Sequence, residues 1–120
     1  MKDAYKILTL DQWQNASENG FVITELDKKD GFIHLSTSKQ LAASLSFYFR
    51  DHDEVVLLKL SGKDFKDEIV FEKPVPAKKR ISAFPHLYSK LDVNRASQVW
   101  HLKRGAFILP EEILLEIENE

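Results

Sequence analysis

The pattern that decides the fold is Asp30-Gly31-Phe32-Ile33-His34-Leu35-Ser36-Thr37-Ser38-Lys39-Gln40, which predicts a turn, a short strand and the start of a helix. Side chains on a strand alternate between its two faces. Ile33 and Leu35 are therefore expected to point into the core, while His34 and Ser36 lie on the opposite face. Burial explains the apolar face but not the polar one, so the polar face is a candidate binding surface.

The helix that follows carries its own start signal. Thr37 and Gln40 fit a T-x-x-Q capping box, which satisfies the first backbone N–H groups of a helix. The strand then brings His34 and Ser36 to a helix N-terminus, where the electrostatic bias is positive. These four residues are candidates for holding a small anionic or nucleotide ligand. The alternative is structural, with a hydrogen-bonded histidine in the strand and a serine that serves the turn and the cap.

The composition is typical of a globular protein. The 120 residues, 43% hydrophobic and 30% charged, predict a single domain over 1–120. The net charge of −2 gives no general attraction to nucleic acid or to acidic membranes, so neither is an expected partner. There is no cysteine, which excludes disulfides and thiolate chemistry. The N-terminus has no signal-peptide pattern and no apolar run approaches about 18 residues, so a soluble, cytoplasmic protein is expected.

The N-terminal segment predicts a strand and an amphipathic helix. Residues Ala4–Thr9 have the pattern of a strand. Asp11 is the expected N-cap of the helix, and Gly20 follows its expected end. Trp13 and Ala16 are three residues apart, so they share one helix face and are expected to dock on the sheet.

A turn and a second helix surround the opening stretch. The polar residues 26–31 predict a turn, because Gly31 tolerates a positive φ. The helix after Gln40 is expected to bury a stripe with the spacing i, i+4, i+7 and i+8, formed by Leu41, Leu45, Tyr48 and Phe49.

The second half reads mainly as strands. Residues Val55–Leu60 form the longest apolar run, which predicts a central strand buried on both sides. Further strands are expected at 68–72 and 97–102, and a short strand or turn at 105–110. Residues 91–95 have the pattern of a connection. A last helical turn is expected after Pro110, anchored by Ile113, Leu114 and Ile117.

A second polar group lies at 82–88. If this segment is extended, His86 and Tyr88 share a face opposite Leu87. Pro85 lacks an N–H donor, which predicts an edge strand or a turn. The preceding basic loop at 73–80 would attract phosphate if it served a site, but a solvated loop also explains it. About six strands and two helices in the N-terminal half indicate a mixed α+β domain.

Four segments carry a resemblance to a known family. D-G-F-I-H-L-S-T-S-K-Q at 30–40, F-P-H-L-Y at 84–88, Y-K-I-L at 5–8 and G-A-F-I-L-P at 105–110 resemble the family called domain of unknown function 952. The resemblance implies an ADP-ribosyltransferase-like fold, a split mixed or antiparallel sheet that holds NAD in a cleft.

The resemblance also implies roles for single residues. His34 and Ser36 match the H-x-S pattern that places a histidine and a serine on the riboses of NAD. A tyrosine stacks on the nicotinamide in such sites, and Tyr88 is the first choice, with Tyr48 the second. A glutamate grips a ribose hydroxyl and stabilises the transition state, and Glu72 is the best placed on its strand.

Three functions remain open at this point. The first is an ADP-ribosyltransferase-like enzyme that cleaves NAD and transfers ADP-ribose to an acceptor, with Glu72 and His86 as catalytic residues and Thr37 and Gln40 beside the cofactor. The second is a non-catalytic nucleotide-binding or interaction module. The third is a small-metabolite hydrolase that uses His34 and His86. No metal-ligand spacing is present, so no metal is expected.

Overall fold

Residues 2–74, 82–103 and 110–118 are described by a computed structural model. In this part of the chain the strands are β1 Ala4–Thr9, β2 Phe21–Val22, β3 Ile33–His34, β4 Glu54–Leu60, β5 Ile69–Glu72, β6 Phe84–Leu87, β7 Leu91–Asp92 and β8 Gln98–Lys103. The α-helices are α1 Leu10–Asn19, α2 Glu25–Asp30, α3 Leu41–Tyr48, α4 Gly62–Phe65 and α5 Glu111–Glu118. Two 3-10 turns lie at Ser38–Gln40 and Val93–Arg95.

The first sheet is organised around β4, as the apolar run predicts. It has the order β1-β4-β8, and both pairings are antiparallel. Alternate β4 side chains enter two separate cores. Val55 and Leu57 pack with Leu41 of α3 and Ile113 of α5, whereas Leu58 belongs to the core on the other side. The prediction of a doubly buried central strand is confirmed.

The second three-stranded sheet has the antiparallel order β3-β6-β5. The prediction that Pro85 marks an edge strand or a turn is wrong, because β6 is the middle strand. Proline is tolerated there since β3 is only two residues long and faces His86 and Leu87. Just after β3, the Leu35 N–H donates to the Pro85 carbonyl at 3.1 Å. Proline acts only as the acceptor in this hydrogen bond. Residues 91–92, predicted as a connection, pair with β2.

The first helix starts earlier than predicted. Thr9, not Asp11, is the N-cap: its hydroxyl accepts from the Gln12 N–H at 3.1 Å, and the Gln12 side chain accepts from the Thr9 N–H at 2.9 Å. Both T-x-x-Q and D-x-x-Q patterns are present in the sequence, and the box that directly follows β1 is the one that forms. Ala16 is buried and Trp13 packs on the core, so the predicted docking face is confirmed.

Most of the predicted turn at 26–31 is helical, because Glu25–Asp30 form α2. The Thr24 hydroxyl accepts from the Asp27 N–H at 3.2 Å, and the Asp27 carboxylate accepts from the Thr24 N–H at 3.0 Å. The helix α2 ends at Gly31, whose φ is +81°. The prediction of two helices in the N-terminal half therefore omitted α2. A six-residue polar helix has no apolar stripe to reveal it.

The apolar residues predicted to be buried in the third and last helices are only partly confirmed. Leu41 and Leu45 are buried, but the prediction of Tyr48 as a core residue is wrong, because it is 66% exposed at the end of α3. The predicted C-terminal helix is confirmed as α5, with Ile113 buried. The side chains of Leu114 and Ile117, most of the basic loop, and all but Pro110 of the strand or turn predicted at 105–110 lie outside the described residues.

The described residues therefore form a mixed α+β fold of antiparallel sheets and several helices. None of the helices in the described ranges is long and apolar enough to cross a membrane.

Candidate functional site

A cleft of about 980 Å³ is lined by residues of both three-stranded sheets and of the α3 C-terminus. Of the residues predicted for a site, six line it: His34, Ser36, Glu72, His86, Tyr88 and the second-choice stacking residue Tyr48. The antiparallel pairing of β3 with β6 places His34 directly opposite His86. Their ring centroids are 5.8 Å apart. Residues distant in sequence thus meet on neighbouring strands.

His34 lies between two carboxylates. Its Nδ1 atom is 2.8 Å from Oδ1 of Asp27, and its Nε2 atom is 2.8 Å from Oδ2 of Asp30. A carboxylate only accepts hydrogen bonds, so only the doubly protonated ring can donate to both. The ring is about 29% exposed, which leaves its edge accessible from the cleft.

Asp27 is the buried centre of this part of the site, and the sequence reading did not include it. Its carboxylate accepts from the backbone N–H groups of Thr24 and His34, both at 3.0 Å, as well as from Lys6. Burial by itself would raise the pKa of Asp27. The His34 hydrogen bonds, the Lys6 charge and the Thr24 N–H outweigh it and hold that pKa well below its usual range.

Lys6 is the buried counter-ion of Asp27. Its Nζ atom lies 3.0 Å from Oδ2 of Asp27 and donates to the His34 carbonyl at 3.0 Å. Burial lowers the pKa of Lys6, and the nearby Asp27 charge partly offsets this effect. The sequence signal for both residues was weak: a lysine in an otherwise apolar strand, and an aspartate at the third position after a threonine cap.

Glu72 joins the second histidine to Tyr88. Its Oε1 atom accepts from the Tyr88 hydroxyl at 2.6 Å and lies 2.7 Å from Nδ1 of His86. The hydrogen bond from Tyr88, followed by that from His86, lowers the pKa of Glu72. The same contact raises the pKa of Tyr88. Glu72 is therefore an ionised carboxylate at neutral pH, presented at the cleft by the end of β5.

Phe32 provides an aromatic wall beside both histidines. Its ring is stacked on His86, with centroids 3.9 Å apart and planes inclined by 22°, and it contacts His34 at 4.6 Å. Tyr88 completes the cluster at 5.5 Å from Phe32. Across the cleft, Phe47 and Tyr48 line the mouth, and both are more than half exposed. The cleft thus offers flat aromatic surfaces next to hydrogen-bonding groups.

The remaining predicted residues have different positions. Ser36 lines the cleft and its hydroxyl lies 2.9 Å from that of Ser44 on α3. Thr37 and Gln40 are not among the lining residues. The Gln40 amide accepts from the Thr37 N–H at 2.9 Å and donates to the Ala83 carbonyl at 2.9 Å. Gln40 thereby ties the start of α3 to the segment that leads into β6.

No cluster of histidine and carboxylate side chains with the geometry of a metal site occurs within residues 2–74, 82–103 and 110–118. The carboxylates around His34 and His86 instead bond to the rings themselves. The cleft brings together a carboxylate, two imidazoles, hydroxyls and aromatic faces in one concavity.

Comparison with known proteins gives a family and a set of similar structures. The family described as "Protein of unknown function (DUF952)" matches residues 7–99. The crystal structure of protein CC0527 from Caulobacter crescentus is 29% identical, covers 88% of this chain and 91% of its own, and has a TM-score of 0.73. The solution NMR structure of CC0527 gives a TM-score of 0.70, with coverage of 88% and 90% at 29% identity. No curated protein matches this chain.

Proposed function

This chain belongs to the DUF952 family of proteins of unknown function, and from its cleft we propose that it is an ADP-ribosyltransferase-like enzyme that binds NAD. The reaction breaks the bond between the nicotinamide nitrogen and the ribose. The ADP-ribosyl group passes to an acceptor nucleophile or to water, and nicotinamide leaves. A fold related to the ADP-ribosyltransferases is part of this proposal and is supported by the two antiparallel sheets that line one cleft.

The observation that carries the proposal is the placement of Glu72. Breaking a glycosidic bond creates positive charge on the ribose, and a fixed carboxylate stabilises that charge. Glu72 is ionised at neutral pH, and the hydrogen bonds from Tyr88 and His86 stabilise its charged form further. Both donors engage Oε1, and within the described residues Oε2 has no hydrogen-bond partner. That second oxygen is therefore available to a ribose hydroxyl.

The other residues have binding roles in this proposal. His34 and Ser36, which both line the cleft, hold ribose hydroxyls. Tyr88 and Phe32 form the aromatic surface beside Glu72, on which the nicotinamide ring stacks. His86 is oriented by Glu72 at Nδ1, so its Nε2 atom is the one directed away from the carboxylate. It serves as general base toward the acceptor or as a phosphate contact.

One observation favours a non-catalytic nucleotide-binding module as the second candidate. Phe32 covers a face of the His86 ring at 3.9 Å, which restricts an acceptor's approach to that histidine. A binding module predicts a nucleotide-dependent rise in melting temperature without turnover. An enzyme predicts both.

The test combines binding with turnover. Melting temperatures are measured with NAD, NADP, ADP-ribose, nicotinamide, ATP and phosphorylated RNA ends, for the wild type and His34→Ala. Nicotinamide release from NAD is then followed for the wild type, Glu72→Gln and Glu25→Gln. Glu25 is a matched control because its side chain is 94% exposed on α2 and is not among the cleft residues.

We expect a shift with NAD that His34→Ala removes. We also expect Glu72→Gln to slow nicotinamide release by a factor on the order of 10² to 10³ while NAD still binds. Binding without nicotinamide release above a heat-killed sample would favour the module. No shift with any nucleotide would refute both candidates.

A further inference from the structure

The two carboxylates on His34 differ in how firmly they are held. Asp27 has a side chain about 1% exposed and is bonded by Lys6 and by two backbone N–H groups. Asp30 has a side chain about 36% exposed, and within the described residues the His34 ring is its only hydrogen-bond partner. Asp27 cannot leave without stranding a buried lysine, whereas water can solvate Asp30 as soon as it turns away.

Asp30 is also placed so that its partly exposed side chain can rotate without a change in the backbone. It is the last residue of α2 and is followed by Gly31, which ends the helix with a positive φ. It lines the cleft together with His34, whereas Asp27 does not. A rotation of the Asp30 side chain would therefore open Nε2 of His34 to a ligand without disturbing the bond at Nδ1.

We propose that Nε2 of His34 is an anion-binding donor of the cleft, for which Asp30 is an intramolecular competitor and Asp27 the fixed support. The doubly protonated form of His34, the form that can donate to both carboxylates, would together with Lys6 balance their two negative charges. When Asp30 turns away, one negative charge is missing beside the imidazolium. A phosphate oxygen restores it and accepts a charge-assisted hydrogen bond at Nε2. The ligand class is therefore a phosphate or diphosphate.

This inference deepens the proposed function, since it places the diphosphate of a nucleotide, rather than only a ribose, at His34. Only the identification of the anion as part of a nucleotide rests on the proposed function. The chemistry it needs, an anion at an imidazolium, is shared by free pyrophosphate. Inorganic pyrophosphate is therefore the first probe, so that failure of the anion site and failure of the nucleotide function can be told apart.

The experiment is a calorimetric titration of pyrophosphate into the wild type, Asp30→Asn and Glu25→Gln. Asp30→Asn removes the competitor's charge and also its repulsion of the incoming anion. An exposed ion pair of this kind changes affinity by up to roughly fivefold, so Asp30→Asn is expected to bind pyrophosphate several-fold more tightly. Glu25→Gln removes the same charge from the same short helix and should bind like the wild type. Equal affinities for the wild type and Asp30→Asn, or equal gains in both variants, would overturn the proposal.

A second measurement does not depend on a variant that folds. The ring nitrogens of His34 are followed by NMR in the wild type during the pyrophosphate titration. We expect the Nε2 signal to move while the Nδ1 signal, held by Asp27, stays in place. Movement of neither signal, or no pyrophosphate binding at millimolar concentration, would refute the anion site.

A parallel titration with ADP-ribose identifies the source of the anion. Tighter binding than pyrophosphate, with the same gain in Asp30→Asn, supports the diphosphate of a nucleotide at His34. A gain confined to pyrophosphate supports the anion site, assigns it to a free phosphate ligand and counts against the proposed NAD function.

Discussion

Removing the charge of Asp27 is expected to destabilise the protein more than any exposed substitution. Asp27→Asn keeps the shape of the side chain but leaves Lys6 buried without a counter-ion. Breaking a buried pair in this way costs about 3–5 kcal/mol of unfolding free energy. The side chains are only 6% and 1% exposed, so solvent cannot screen the stranded charge. The cost should therefore fall within that range rather than in the range of surface pairs.

The structure also predicts an asymmetry between the two partners. In Lys6→Met, Asp27 keeps the His34 ring and the backbone N–H groups of His34 and Thr24. In Asp27→Asn, Lys6 keeps the His34 carbonyl as its charge-free acceptor. Lys6→Met should therefore cost at least about 1 kcal/mol less than Asp27→Asn. The double variant should cost less than the sum of the two, because neither charge is then left alone.

The assay is urea unfolding at neutral pH, with Glu25→Gln as the exposed control. That variant breaks a 3.6 Å pair with Lys28 on the same helix and should change the unfolding free energy by less than about 0.5 kcal/mol. If Asp27→Asn costs no more than this control, or if Lys6→Met costs more than Asp27→Asn, the description of Asp27 as the organising charge of the site is refuted.

Two further predictions concern an ion pair and a turn. Arg95 first, and then the Ser89 hydroxyl, lower the pKa of Glu68 from 4.5 to about 2. The folded-state pKa lies below the unfolded value, so this stabilisation is complete above about pH 4.5 and is lost as the pH falls toward about 2. Urea unfolding of Glu68→Gln should therefore depend less on pH in that window than the wild type, and parallel curves would contradict this. Gly31→Ala should cost about 1–2 kcal/mol from its positive φ alone, since no atom lies within 4 Å of an added Cβ. An unchanged melting temperature in Gly31→Ala would count against strain at this positive φ.

Local patterns predicted the elements that depend on local chemistry. The alternation at 33–36 predicted that Ile33 and Leu35 are buried, and both are, but Ser36 on the opposite face is buried too. The apolar run at 55–60 predicted the central strand of the first sheet. The same kind of reasoning failed at α2, because a capped polar helix of six residues leaves no periodic signal. It also failed at Pro85. The missing N–H of Pro85 leaves no gap in the β3–β6 ladder, because the two-residue strand β3 pairs only with His86 and Leu87.

The sequence by itself determined which residue types were available for a site: two histidines, each two residues before a hydroxyl-bearing side chain, and a glutamate at the end of a strand. Only the tertiary structure decided which of them meet. Antiparallel pairing of β3 with β6 sets His34 against His86, and pairing of β5 with β6 brings Glu72 to His86 and Tyr88. The Lys6–Asp27 pair could not be anticipated, because the two residues are 21 positions apart. Their attraction offsets the cost of burying both charges only when β1 and α2 are packed together.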